Sequence, residues 1–294
     1  MAEVKENSSF TCKFLNESYF QELLKTFLEA FSDYPVPFQH TEEQFRRHLL
    51  GNAVDLNLSV GCFTGQKMVA FSLNGFGPWN GRPTAYDSGT GTIPEFRRRG
   101  AGRAMFEFMM PILQGRGVEQ ILLEVITDNE KAVNLYRALD FEETRKLLVL
   151  KAEQPLKFER ELPEGVEVRE IVRPDWDLMQ GFWDGEPSWQ NSPAAIERTR
   201  EVKKIVGAFI ADKCIGYLIF SGDSGKIAQL AVAKENRNRG TGTLLLSELQ
   251  KNTNEKNSLQ VINLDESLTG AVRFFQNRGF TESLNQYEMI KFLT

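Results

Sequence analysis

The chain is written twice. "PEFRRRGAGRAMFEFM" at residues 94–109 and "KENRNRGTGTLLLSEL" at 234–249 both read R-x-x-G-x-G, with Arg97 matching Arg237 and Gly100 matching Gly240 at an offset of 140. Further on, "AVNLYRALDF" (132–141) matches "AVRFFQNRGF" (271–280) at an offset of 139. Two motif pairs that keep nearly one offset imply a duplication, and so long a period implies two domains rather than a solenoid. With 294 residues there is length enough for both cores. The expected division is 1–150, a linker at 151–164, and 165–294. The stretch "KAEQPLKFERELPEG" (151–165) is charged, holds two prolines and shows little periodicity.

Local patterns give each copy the same order of elements. In the first, "FTCKFL" reads as a strand, and "SYFQELLKTFLEAF" and "TEEQFRRHLLGN" as helices, the latter opened by Thr41 and an acidic first turn. "LNLSVGCF", "KMVAFSLNGF" and "TAYDSGTGTI" read as strands, and the Asn–Gly of "WNGRP" makes the last two a hairpin. A helix over 101–114 follows, with Pro111 expected to bend it or end it early. Then come a strand in "EQILLEVI", a helix in "NEKAVNLYRAL" and a closing strand in "FEETRKLLVLK". The second copy repeats this with strands near 166–172, 205–211, 214–221, 225–233, 258–265 and 284–293. Its helices fall near 174–183, 193–203, 241–254 and 268–278. The fold class is α/β, with a mixed, largely antiparallel sheet flanked by helices in each half.

Charge narrows the function. Net charge is −5, and residues 1–150 carry 16 basic and 19 acidic side chains against 19 and 21 in 151–294. Neither half has the basic footprint that nucleic acid or an anionic membrane requires. "MAEVKENSSF" lacks the apolar core of a secretory signal, and no run of about 18 apolar residues is present, so a cytoplasmic protein is expected. Cys12, Cys62 and Cys214 are far apart in apolar segments and read as reduced core residues. His40 and His48 have no HExxH or CxxC companion, so neither a metal site nor a Ser–His–Asp hydrolase is expected. Trp79, Trp176, Trp183 and Trp189 are read as structural.

A strand that turns at glycines into a helix aims several backbone N–H groups at one point, where the helix dipole favours an anion. Flanking arginines add charge-assisted bonds. The alternative is a plain surface turn with solvated arginines. A dinucleotide fingerprint fails for want of a third glycine, and a P-loop for want of GK[ST].

Strand, R-x-x-G-x-G, helix, strand, N-x-x-A-x-x-x-Y and a closing strand together resemble the GNAT superfamily of acyl-CoA-dependent N-acyltransferases. "TIPEFRRRGAG" is similar to its pyrophosphate loop and "NEKAVNLYRALDF" to its second motif. The resemblance covers residues 10–150 well and 165–294 less well, and it implies a tandem, two-domain member using acetyl-CoA as cosubstrate. It places the pyrophosphate on the loop of Arg97, Arg98, Arg99, Gly100, Ala101, Gly102 and Arg103. It places the pantetheine arm along Thr90, Gly91 and Thr92, with Asn129 and Tyr136 of the second motif also at the cofactor. In the second copy Arg237, Arg239, Gly240, Thr241, Gly242 and Thr243 would form a second such cradle. The strand before the loop is expected to splay from its neighbour and to carry a bulge, with which Gly89 and Gly91 are compatible.

The resemblance also implies that Tyr136 is the general acid. On the bland reading, Ala132, Val133, Tyr136 and Leu139 are one packed helix face. The duplicate supplies a contrast: Tyr136 corresponds to Phe275 and Asn129 to Leu268. For the base, the family pattern points to Asp87, with a water chain or Glu124 as alternatives; the second copy has Lys226 and Ile227 there. Asp140–Phe141 departs from the usual Gly–Phe, which Gly279–Phe280 keeps. Tyr34 and Phe38 are candidates for an apolar acceptor wall, or for rigid turn packing. The expected activity is transfer of an acetyl group to a primary amine, of a small molecule or a protein, by an N-terminal catalytic domain in a monomer or homodimer. A non-catalytic acyl-CoA sensor or partner-binding module is the alternative.

Overall fold

The computed structural model describes residues 5–7, 10–33, 41–156, 158, 163–222, 224–254 and 257–293. Tyr34 and Phe38 lie outside them. Contacts gather the chain into two compact units, Met1–Thr144 with Tyr287–Thr294, and Arg145–Gln286.

The first unit contains β1 (Lys5–Asn7), β2 (Phe10–Phe14), α1 (Phe20–Ala30), α2 (Glu42–Gly51), β3 (Val60–Thr64), β4 (Lys67–Trp79), β5 (Arg82–Thr92), α3 (Ala101–Gly115), β6 (Gln120–Ile126) and α4 (Glu130–Arg137). Next in the chain is β7 (Glu142–Ala152), whose residues from Arg145 onward belong to the second unit. The second unit goes on with β8 (Glu167–Glu170), α5 (Trp176–Gln180), α6 (Pro193–Arg198), β9 (Lys204–Ile210), β10 (Lys213–Ser221), β11 (Lys226–Val232), α7 (Thr241–Lys251), β12 (Leu259–Asp265) and α8 (Thr269–Gln276). The last strand, β13 (Thr281–Phe292), returns from Tyr287 onward to the first unit. Sheet order is β1-β2-β3-β4-β5-β6-β13 in the first unit and β7-β12-β11-β10-β9-β8 in the second. Each sheet is thus finished by a strand from the other half of the sequence. Met289, fully buried, joins the first unit's core with Phe71, Phe106 and Tyr136.

Local rules hold where they are local. Thr41 caps α2 in a capping box with Gln44. Asn80 and Gly81 turn the β4–β5 hairpin at φ 51° and 75°. Asp140 takes the left-handed cap after α4 at φ 61°, as Gly279 does after α8 at φ 85°.

Helix α3 spans Ala101–Gly115 with Pro111 inside it, close to the expected 101–114. Three expectations need correction. Residues 56–58 form a 3-10 turn held by the Asp55 carboxylate, so the strand begins at Val60. The helices expected at 174–183 and 193–203 are shorter, Trp176–Gln180 and Pro193–Arg198. Cys12 and Cys62 are not separate thiols: the β2–β3 register sets them opposite each other, Cα atoms 4.3 Å apart, and they are joined as a disulfide. Cys214 is free and buried. Among the described residues no helix is long and apolar enough to cross a membrane.

Candidate active site

The site begins with one extra residue. Strand β5 pairs with β4 through Leu73↔Gly89 and Asn74↔Asp87, so Ser88 has no opposite and the strand bulges there. The extra residue brings Asp87 and Thr90 to one face. On the other side β5 runs parallel to β6 only from Thr84↔Gln120 to Asp87↔Leu123, after which the two strands part. Asp87 therefore sits where the splay opens.

Its carboxylate is well held. Oδ1 accepts from Gly89 N (3.1 Å), and Oδ2 accepts from Thr90 Oγ1 (2.8 Å) and from the Tyr136 hydroxyl at 3.5 Å. Burial, at 5% exposure, pushes its pKa from 3.8 up to about 6, against the pull of those three hydrogen bonds. Tyr136 is also buried, its ring edge-on to Phe106 and Phe141 with centroids 5.7 and 5.6 Å away. Helix α4 presents it from a start capped by Asn129 Oδ1, which accepts from Ala132 N (3.3 Å). Asn129 thus serves α4 as its cap. Glu124 lies elsewhere at the splay, accepting from the Tyr86 hydroxyl (2.8 Å).

The loop follows. Arg98 at φ 62° and Gly100 at φ 87° bend the chain into α3. No acceptor among the described residues takes the backbone N–H groups of 98–103, and Ala104 N is the first to find its helical partner, Gly100 O (3.0 Å). A Cβ on Gly100 would meet no atom within 4 Å, so the loop is open above it. The two glycines of the motif have different reasons. Gly100 needs its left-handed φ, whereas a Cβ on Gly102 would lie 2.8 Å from Leu135 Cδ2, so the glycine lets the α4 side chain pack close on α3. An open row of donors at the start of a 15-residue helix fits a pyrophosphate.

Arg97 differs from the expectation. Its guanidinium bonds Asp33 through two nitrogens (2.6 and 2.7 Å), Ala30 O (2.8 Å) and Thr92 O (3.1 Å), tying the end of α1 to the end of β5. The side chain is committed to the scaffold. Arg99 stands over the Phe96 ring and Arg103 reaches Glu107 (3.4 Å), so the charge around the loop comes from Arg98, Arg99 and Arg103. Gly91 serves packing: a Cβ there would meet the Phe71 ring at 2.6 Å. Thr90 holds Asp87, and the Thr92 carbonyl holds Arg97.

The second unit repeats the frame without the reacting groups. Its bulge is at Ala228, between Ile219↔Gln229 and Phe220↔Ile227. Arg237 makes the bonds of Arg97, to Asp184 (2.7 Å), Phe182 O (2.8 Å) and Val232 O (2.9 Å). Gly240 has φ 89° and Thr241 and Gly242 begin α7. Yet Ile227 stands for Asp87, Leu230 for Thr90 and Phe275 for Tyr136. Thr243 Oγ1 accepts from Arg278 (2.6 Å), and Arg239 alone keeps an arginine of the three around the first loop.

What sequence reasoning missed is Thr90 as the holder of Asp87 and the destination of Arg97. The threonine three residues on becomes visible as a partner only once the bulge is known.

Comparison with known proteins places both halves. Residues 16–141 match the family described as "Acetyltransferase (GNAT) family", and 188–292 match "Acetyltransferase (GNAT) domain". The [ribosomal protein bS18]-alanine N-acetyltransferase of Salmonella typhimurium is 44% identical over 50 residues, 17% of this chain and 34% of that protein. Its Escherichia coli K12 counterpart is 42% identical over the same length. The chain thus spans about a third of these relatives. Among solved structures, a GCN5-related N-acetyltransferase from Sphaerobacter thermophilus has TM-score 0.74 at 16% identity, covering 98% of this chain and 97% of that one. A tandem GNAT protein from the clavulanic acid biosynthesis pathway has TM-score 0.73 at 14% identity, covering 99% of each. These two share the fold.

Proposed function

The chain belongs to the GNAT acetyltransferase family, with one domain of it in each half, and from that premise we propose that the first unit moves an acetyl group from acetyl-CoA to a primary amine. The observation that carries the reading is the pair Asp87–Tyr136, 3.5 Å apart at the opening of the splay, with both members replaced in the second unit.

Backbone N–H groups 98–103 would hold the pyrophosphate, with Arg98, Arg99 and Arg103 around it. The unpaired edge of β5 beyond Asp87 would lie along the pantetheine arm. Bound there, acetyl-CoA supplies an acetyl group activated as a thioester. Asp87 Oδ2 takes the proton that an incoming ammonium must lose, and its raised pKa suits a base working near neutrality. Tyr136 Oη keeps the proton that the departing sulfur requires. Thr90 and Gly89 orient Asp87, and Phe106 and Phe141 fix the Tyr136 ring. The relatives named for alanine N-acetylation fall in the same acceptor class, a primary amine.

Thiol release from acetyl-CoA with a panel of amines tests the reading. Tyr136→Phe should lower turnover by about 10²-fold or more and leave acetyl-CoA affinity within a few-fold, because Phe275 shows that the frame accepts the bare ring. Turnover unchanged in both Tyr136→Phe and Asp87→Asn would remove the pair from the chemistry.

A further inference from the structure

The second unit contains a cleft of about 620 Å³ along β11 and β12. Pairing between these strands stops after Ile227↔Val261, although β11 runs to Val232 and β12 to Asp265. Beyond that point Asn191 bridges the strands, its Nδ2 donating to Ile262 O (2.8 Å) and its carbonyl accepting from Gln229 Nε2 (2.6 Å), and the remaining facing edges border the cleft between apolar walls such as Leu264, Leu268 and Phe274. A volume of this size suits a small molecule rather than a few waters.

Pro163 and Arg278 set this cleft apart from the first. Where Gly100 is open, a Cβ on Gly240 would meet Pro163 Cδ at 3.1 Å and Cγ at 3.7 Å, so the chain's own proline sits on the second loop. The charged residues lining the cleft are Asp184, Glu186, Asp265 and Arg237, of which Asp184 is paired with Arg237 (2.7 Å) and Asp265 with Arg145 (3.5 Å). Arg278, beside the loop, is held on Thr243 Oγ1 (2.6 Å) and Phe274 O (2.7 Å). A ligand with several phosphates meets an obstructed cradle here.

What the cleft does offer is polar and neutral. Asn236 lines it, 9% exposed, and its Oδ1 is buried with no hydrogen-bond partner among the described residues. A buried acceptor left unmatched costs stability, and an amide N–H would satisfy it. Gln229 stands where the first unit has Gly89, and its side chain is bonded at both ends, to the Tyr217 hydroxyl and Asn191 O (2.6 Å each). It narrows the end of the cleft where the first unit has its reacting pair.

We propose that this cleft is a second, non-catalytic site for a neutral, linear, phosphate-free amide, and that Pro163 closes it to CoA. The ligand's amides pair with the strand edges and Asn236, and its alkyl segments lie on the apolar walls. The proposal rests on the acetyl-CoA reading only for its contrast with the first cleft. Pantetheine and a doubly blocked dipeptide share the required chemistry and separate a thiol-bearing ligand from a peptide.

The test is calorimetric titration of the full chain. Wild type is expected to take one CoA, and the CoA-saturated protein then one pantetheine or one dipeptide per chain. Ala271→Trp, which fills the cleft, and Leu268→Glu, a milder change at its half-exposed rim, should each weaken that second event at least tenfold while CoA binding persists. Pro163→Gly should admit a second CoA. Two CoA per wild-type chain, or no binding of either amide to the CoA-saturated protein, would overturn the proposal. A single CoA in Pro163→Gly would overturn the role given to Pro163. If no CoA binds anywhere, the acetyl-CoA reading fails, and loss of amide binding in Ala271→Trp still decides this one.

Discussion

Asp87→Asn should make the protein more stable and less active at once. The folded protein raises the Asp87 pKa from 3.8 to about 6, chiefly by burial. A carboxyl whose folded pKa lies above its unfolded value binds its proton more tightly in the native state. Stability from this group is therefore full below about pH 4 and falls as pH rises through about 6. A shift of roughly two units corresponds to about 3 kcal/mol, lost once the buried carboxylate is charged. Asparagine carries no charge, keeps an acceptor for Gly89 N and gives Thr90 Oγ1 a donor. The variant should be about 2–3 kcal/mol more stable than wild type at pH 8 and nearly equal at pH 4. Denaturant titrations at both pH values read the difference. In parallel, wild-type kcat/KM should rise with pH through about 6, and the variant should lose about 10²-fold or more at pH 8. A variant that is less stable at pH 8, together with a wild-type profile lacking that inflection, would refute the assignment of a buried, proton-accepting Asp87.

The loop arginines should separate by role. Arg97→Lys cannot reproduce the fork on Asp33 and should cost about 1–2 kcal/mol of stability, whereas Arg98→Ala should weaken acetyl-CoA binding with little effect on unfolding; denaturation and calorimetry distinguish them. Deleting residues 287–294 removes Met289, fully buried in the first unit's core, and should cost about 3 kcal/mol or more there, read as faster proteolysis of the N-terminal half. Gly75→Ala would place a Cβ 2.0 Å from Asn52 O at the Val54–Gly75 bridge and should destabilise by about 2 kcal/mol or more, measured by denaturant unfolding. Thiol titration of unfolded, unreduced protein should find Cys214 alone, and three thiols after reduction.

The sequence by itself determined what depends on neighbours in the chain. The repeated R-x-x-G-x-G located both glycine loops, because a left-handed residue before a helix selects glycine at Gly100 and Gly240. The Asn–Gly turn, the Thr41 cap and the Phe-for-Tyr exchange at 275 were legible for the same local reason. The tertiary structure decided everything that turns on register and long-range pairing. One unpaired residue, Ser88, sets which face Asp87 takes and so whether it reaches Tyr136, 49 positions away. Cys12 meets Cys62 only through the β2–β3 register. Arg97 reads as a phosphate ligand until α1 folds back and offers Asp33 and the Ala30 carbonyl. The exchange of last strands is likewise invisible in a repeat, because it turns on pairing between segments far apart in the chain.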